Sequence, residues 1–149
     1  MELEQRFNSG KRANESVLLN RKGDKESIIL VVEDVHETRD GIEKLLNADG
    51  YRVALARDEE DAAESAQRQR PDLILVSLAG LQSEVVVTAR RIRERAGIGN
   101  IPVVVFCGGD ISEGDEIAIG ENMHVTRPDN FNQLRGLLTR LLHPVPIPV

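Results

Sequence analysis

Short runs of aliphatic residues recur along this chain, and each is followed by a stretch whose apolar positions are spaced three and four apart. Ile28-Ile29-Leu30-Val31-Val32 is apolar at every position and ends at Glu33-Asp34, the pattern of a strand buried on both faces. From Thr38 to Ala48 the apolar residues Ile42, Leu45 and Leu46 fall at helical spacing, and Gly50 stops the run. Tyr51 to Ala56 reads as a second strand. Asp58 then caps a helix reaching about Gln69, with Ala62, Ala63 and Ala66 as its small inner face. Pro71 resets the chain before a third strand, Leu73-Ile74-Leu75-Val76. Glu84 to Arg95 reads as helix and Val103 to Phe106 as strand, followed by a short, acidic, glycine-interrupted helix from Ser112 to Ile119. Met123-His124-Val125 gives a brief fifth strand, and Asn130 to Leu142 a last helix with Phe131, Leu134, Leu137, Leu138 and Leu141 on one side.

Five strands alternating with five helices call for a parallel sheet covered by helices on both faces, because each right-handed crossover lays its helix on the sheet. At 149 residues the chain fits one domain. The expected boundaries are a mobile tail at 1–26, a folded domain at 27–143 and a proline-rich tail at 144–149. Aromatic residues are only 3% of the chain, so the core must come from Val, Ile, Leu and Ala.

The net charge of −6 argues against nucleic acid or an anionic membrane as partner. A single cysteine, Cys107, excludes an internal disulfide and multi-thiolate zinc patterns. The apolar runs are too short to span a bilayer, and the charged start lacks the pattern of a secretory signal, so a cytoplasmic location is expected.

In a doubly wound sheet, chemistry gathers at the carboxyl ends of the strands. Those ends carry Glu33 and Asp34, then Ser77, Cys107, and Thr126 with Arg127. The ordered series from about Ser27 to Leu142 resembles the receiver domain of two-component response regulators. Ile29-Leu30-Val31-Val32-Glu33-Asp34 resembles the first strand with its acidic pair. Gly50-Tyr51-Arg52-Val53 is similar to the entry of the second, and Arg70-Pro71-Asp72-Leu73-Ile74-Leu75-Val76 to the approach to the phosphorylation site. Ile101-Pro102-Val103-Val104-Val105 fits the fourth strand, while Gly120 and Arg127-Pro128 stand where the family has its glycine and its Lys-Pro.

The resemblance implies a flavodoxin-like (βα)5 fold with five parallel strands in the order 2-1-3-4-5. It also implies a phosphate-accepting aspartate at the position held here by Ser77, with magnesium bound partly by the acidic pair. The family's phosphate-sensing Thr or Ser falls at Cys107, its lysine at Arg127 and its aromatic switch at His124. Of these positions only Glu33 and Asp34 keep the family's residue type.

Those departures set the expectations for function. A serine hydroxyl is a poor nucleophile without a neighbouring base, so relay of phosphate to Ser77 is not expected. Losing the aspartate removes an anionic magnesium ligand; Glu33 and Asp34 are the metal ligands that remain, and the expectation is no cofactor. Arg127 is expected to bridge to Asp34 or Glu33 as a structural ion pair. His124 is read as a solvent-facing edge-strand residue, against a pH-dependent stand-in for the aromatic switch. Cys107 is read as a small buried hydrophobe, against a redox sensor. Arg90, Arg91, Arg93 and Arg95 spread around their helix and read as a solvated surface.

The function that follows is a phosphorylation-independent pseudo-receiver acting as an interaction module and not as an enzyme. Its partner would be a signalling protein, either a histidine kinase or another regulator, and a homodimer would use the face of the fourth helix, fifth strand and fifth helix. The alternative is a receiver-like domain switched by a small ligand above Ser77 or by modification of Ser77. A hydrolase using Ser77 lacks the glycine-flanked turn that exposes a nucleophilic serine.

Overall fold

Strands β1 (Ile28–Glu33) and β3 (Leu73–Ser77) lie side by side at the centre, where nearly every residue is withdrawn from water, which is why their sequences are apolar at consecutive positions. A computed structural model describes residues 26–106, 111–127 and 130–143. Around the central pair the remaining elements follow in the order α1 (His36–Ala48), β2 (Arg52–Ala56), α2 (Glu59–Arg68), α3 (Gln82–Ala96), β4 (Val103–Phe106), β5 (Glu116–Ala118), β6 (Met123–Thr126) and α4 (Phe131–Leu142).

The sheet order is β2-β1-β3-β4-β6-β5. The first five members are parallel and stand in the order expected from the sequence. Alternate residues of each central strand feed two separate cores. Leu30, Val32, Ile74, Val76, Val103, Val105 and Val125 meet α2 and α3 through Ala62, Ala66, Val85, Ala89 and Ile92. On the other face Ile29, Val31, Leu73, Leu75 and Val104 meet Leu46 of α1 and Leu134, Leu137 and Leu138 of α4. Full burial of one such side chain stabilises the fold by about 1.5–3 kcal/mol, so these two layers carry most of the stability.

The helix ends obey local chemistry. The Asp58 carboxylate accepts from Asp61 N at 2.9 Å, and Asn130 Oδ1 accepts from Gln133 N at 3.1 Å, caps worth about 1 kcal/mol each.

The stretch from Ser112 to Ile119 is not the helix its sequence suggests. It turns and then forms β5, which pairs antiparallel with β6. The described residues therefore hold a mixed sheet of six strands and four helices, in place of five parallel strands and five helices. The physical reason lies in where the backbone finds its partners. Gly114 sits at φ +92°, outside helical conformation. The Asp115 carbonyl accepts from Arg127 N at 3.3 Å and from Thr126 Oγ1 at 3.0 Å, and Ile119 N donates to Met123 O at 3.0 Å. These groups are satisfied by β6, so a helix has nothing left to offer them. Ile119 tucks against the core layer beneath α3, which rewards a period of two over a period of 3.6.

Three consecutive residues at positive φ close the β5–β6 turn: Gly120 at 91°, Glu121 at 57° and Asn122 at 60°. The left-handed region is costly for Glu121, and α3 holds it there. Buried Arg93 donates to the carbonyls of Ile101 at 3.2 Å and Glu121 at 2.6 Å, and Arg90 Nε donates to the Glu121 carboxylate at 2.9 Å. Arg91 and Arg95 instead share the Glu59 carboxylate of α2 at 2.9 and 3.3 Å. The four arginines thus tie α3 to its neighbours on two sides, and the expectation of a purely solvated surface is corrected.

Candidate functional site

The carboxyl ends of β1 and β3 bring Glu33 and Ser77 together as register partners. Partners in a parallel pair project to the same face, so carboxylate and hydroxyl share one pocket rim. Glu33 is only 4% exposed. Its Oε2 accepts from Val35 N at 3.1 Å, and its backbone carbonyl accepts from Arg39 Nη1 at 2.9 Å. Ser77 is half-buried, while Asp34 stands exposed in the bend after β1. Over this rim the first turn of α1 adds a chain of polar groups: Arg39 Nη2 lies 3.2 Å from His36 Nδ1, and His36 Nε2 lies 3.3 Å from Asp40 Oδ2.

Val35 and Arg39 were not singled out in the sequence as partners of Glu33. Only the closeness of α1 to the end of β1 could have pointed to them.

The other strand-end residues stand apart from this rim. Arg127 is exposed, and its guanidinium donates to Ile111 O at 3.3 Å; among the described residues it forms no ion pair with Glu33 or Asp34. The expected bridge fails on distance, because β6 and β1 are three strand spacings apart in the sheet, about 14 Å. The refolded 111–115 segment then offers Arg127 nearer acceptors. Cys107 and Pro128 lie outside the described residues, as do 1–25 and 144–149.

His124 is not an edge residue facing solvent. β6 runs between β4 and β5, and the imidazole lies on the α4 side, half-buried, with Nε2 shielded from water and without a hydrogen-bond partner among the described residues. Burial lowers its pKa below the usual histidine value; Glu116 opposes that shift, and Arg140 adds to it. Arg140 Nη2 in turn donates to both oxygens of Glu116, at 2.9 and 2.8 Å.

A divalent cation at this rim would need oxygen donors that converge. Glu33 offers one carboxylate oxygen not bonded to Val35, Asp34 sits in solvent, and no three His, Cys, Asp or Glu side chains come together among the described residues. Of the donors the family would supply here, Glu33 and Asp34 remain, and Ser77 brings a neutral hydroxyl in place of a third carboxylate.

The family model for the response regulator receiver domain matches residues 29–138. The chain belongs to that receiver family. Among curated relatives, the aerobic respiration control protein ArcA of Escherichia coli strain K12 is 28% identical over 122 residues, covering 77% of this chain and 50% of the relative. Response regulator MprA of Mycobacterium leprae is 26% identical over 117 residues, with 76% and 50% covered. The chain thus spans about half the length of the curated relatives it matches.

Among solved receivers, that of the sensor histidine kinase PA1611 from Pseudomonas aeruginosa PAO1, described with magnesium coordinated in its active site cleft, is 30% identical with a TM-score of 0.61. It covers 79% of this chain and 98% of its own. The chemotaxis protein CheY4 of Vibrio cholerae shares the fold at 19% identity and a TM-score of 0.61, with 79% and 100% covered. Receivers are modules of two-component signalling, and this chain shares their overall fold. No helix among the described residues is long and apolar enough to cross a membrane.

Proposed function

We propose that this receiver is a pseudo-receiver: a signalling module that binds partner proteins without accepting phosphate from a histidine kinase. The observation that carries the reading is the Glu33–Ser77 register pair, which sets a hydroxyl where the family's chemistry needs an ionised carboxylate. Phosphoryl transfer also needs cationic charge on the transferred oxygens. Here Arg127 is engaged with Ile111, and among the described residues no three His, Cys, Asp or Glu side chains converge at the rim. In this reading the module works without magnesium, in the cytoplasm, with a signalling protein as partner. It performs no catalysis of its own.

Incubation of the protein with acetyl phosphate and magnesium, followed by intact-mass analysis, tests the reading. An unchanged mass is expected, and a base-labile phosphoryl adduct contradicts it. The expected alternative, switching through modified Ser77, gives an acid-stable, hydroxylamine-resistant phosphoserine in phosphosite mapping from the native cell.

A further inference from the structure

We infer that β5 is a self-pairing edge, through which two copies of this chain join their sheets into one antiparallel continuation across a two-fold axis at Ile117. The inference goes beyond the silent acceptor site and does not depend on it. It begins with which backbone groups are already used. Asp115 and Ile119 bond to β6 through their carbonyl and amide, and the Ile117–Val125 pair lies in phase with them. In an antiparallel ladder every second residue faces the partner, so Glu116 and Ala118 turn their N–H and C=O groups outward. β5 ends the sheet, and no strand among the described residues covers that side.

A two-fold axis at Ile117 sets Glu116 opposite Ala118 of the second copy, and Ala118 opposite its Glu116. These are the residues with outward donors and acceptors, so two hydrogen-bonded pairs form with Ile117 facing its symmetry mate between them. Ile117 is 43% exposed and projects on the face beneath α3, where the two isoleucines cover one another. On the α4 face the two Glu116 side chains fall on a diagonal within reach of long side chains. Each is already clamped by its own Arg140, which is 63% exposed and free to share its charge with the second copy's carboxylate. The charges across the axis are therefore complementary.

The opposite edge of the sheet lacks this match. β2 begins at exposed Arg52 and carries no acidic residue from Arg52 to Ala56 to complement it across a two-fold. Neither proline nor lysine, two of the usual guards of a free edge, occurs in Glu116–Ala118; its guards are its short length and the charge of Glu116, which Arg140 neutralises.

Sedimentation velocity and amide hydrogen exchange on the full chain test the inference. The wild type is expected to sediment as a dimer at high concentration, with the Glu116 and Ala118 amides protected there and exchanging freely on dilution. Ile117→Lys is expected to weaken association by about tenfold or more, since it opposes two cations at the axis, with a thermal midpoint unchanged at dilutions where the wild type is monomeric. Ala118→Pro, which deletes an outward N–H without touching the bonds to β6, serves as an independent second variant. A wild type that stays monomeric throughout overturns the inference, as does a dimer in which the Glu116 and Ala118 amides exchange freely. Capture of an extended peptide of another protein by a monomeric β5 also counts against it.

Discussion

The two halves of the sheet have diverged from the receiver pattern in different ways. In the first half, β1, β2 and β3 hold the parallel register expected of them, and the departure is a single side chain, Ser77, at the rim beside Glu33. In the second half the backbone itself differs: a helix gives way to β5, and Arg127 bonds to the refolded segment. The first kind of change replaces one functional group and leaves the register intact. The second alters the surface itself, and under the proposed function that surface is where partners would dock.

If that contrast is right, stability concentrates in the first half. Leu75→Ala, at a fully buried position of β3, is expected to cost about 2–5 kcal/mol in urea denaturation. Ile117→Ala in β5 should stay within about 0.5 kcal/mol. Equal losses at the two positions would break the comparison.

Next in size is the clamp that holds the β5–β6 turn. Arg93→Ala leaves the carbonyls of Ile101 and Glu121 without their donor, an expected loss of about 2–3 kcal/mol. Amide exchange should rise in Glu116–Thr126 and remain unchanged at Glu33 and Ser77.

A smaller effect of about 1 kcal/mol is expected from His124→Phe, which removes the partnerless Nε2. Because the folded pKa lies below the model-peptide value of 6.5, the unfolded chain binds the proton more readily. The wild type should therefore be most stable above pH 6.5 and lose stability as the pH falls from there toward the lowered folded value. Thermal melts across that range should show the slope in the wild type and a flatter profile in the variant.

The smallest effect belongs to Glu59, whose pKa is lowered chiefly by the hydrogen bond from Arg91, with burial opposing and Arg95 assisting. Its contribution is present above pH 4.5 and fades as the carboxylate protonates below it. Glu59→Gln should cost under about 1 kcal/mol, and added salt should shrink even that.

The strands that were legible in the sequence are those whose burial on both faces forces an unbroken aliphatic run, as in Ile28–Val32 and Leu73–Val76. The helices were legible through caps such as Asp58 and stops such as Gly50. The segment at Ser112–Ile119 misled because its acidic composition resembles a solvated helix. Its informative signals were weaker: the two-residue spacing of Ile117 and Ile119, and a turn at Gly120-Glu121-Asn122.

At the site, Ser77 stands in register with Glu33, a neighbourhood legible in the sequence because strand ends follow from topology. It could not place Arg127 or His124. Their environment depends on β5, which converts β6 from an edge into an interior strand.

The most direct test of the silent-site account is a magnesium titration followed through the amide resonances of Glu33, Asp34 and Ser77. In the wild type these signals should drift weakly and without saturation, while Ser77→Asp should gain a saturable response at the same residues. Saturable binding by the wild type, centred on Glu33 and Ser77, would contradict the account.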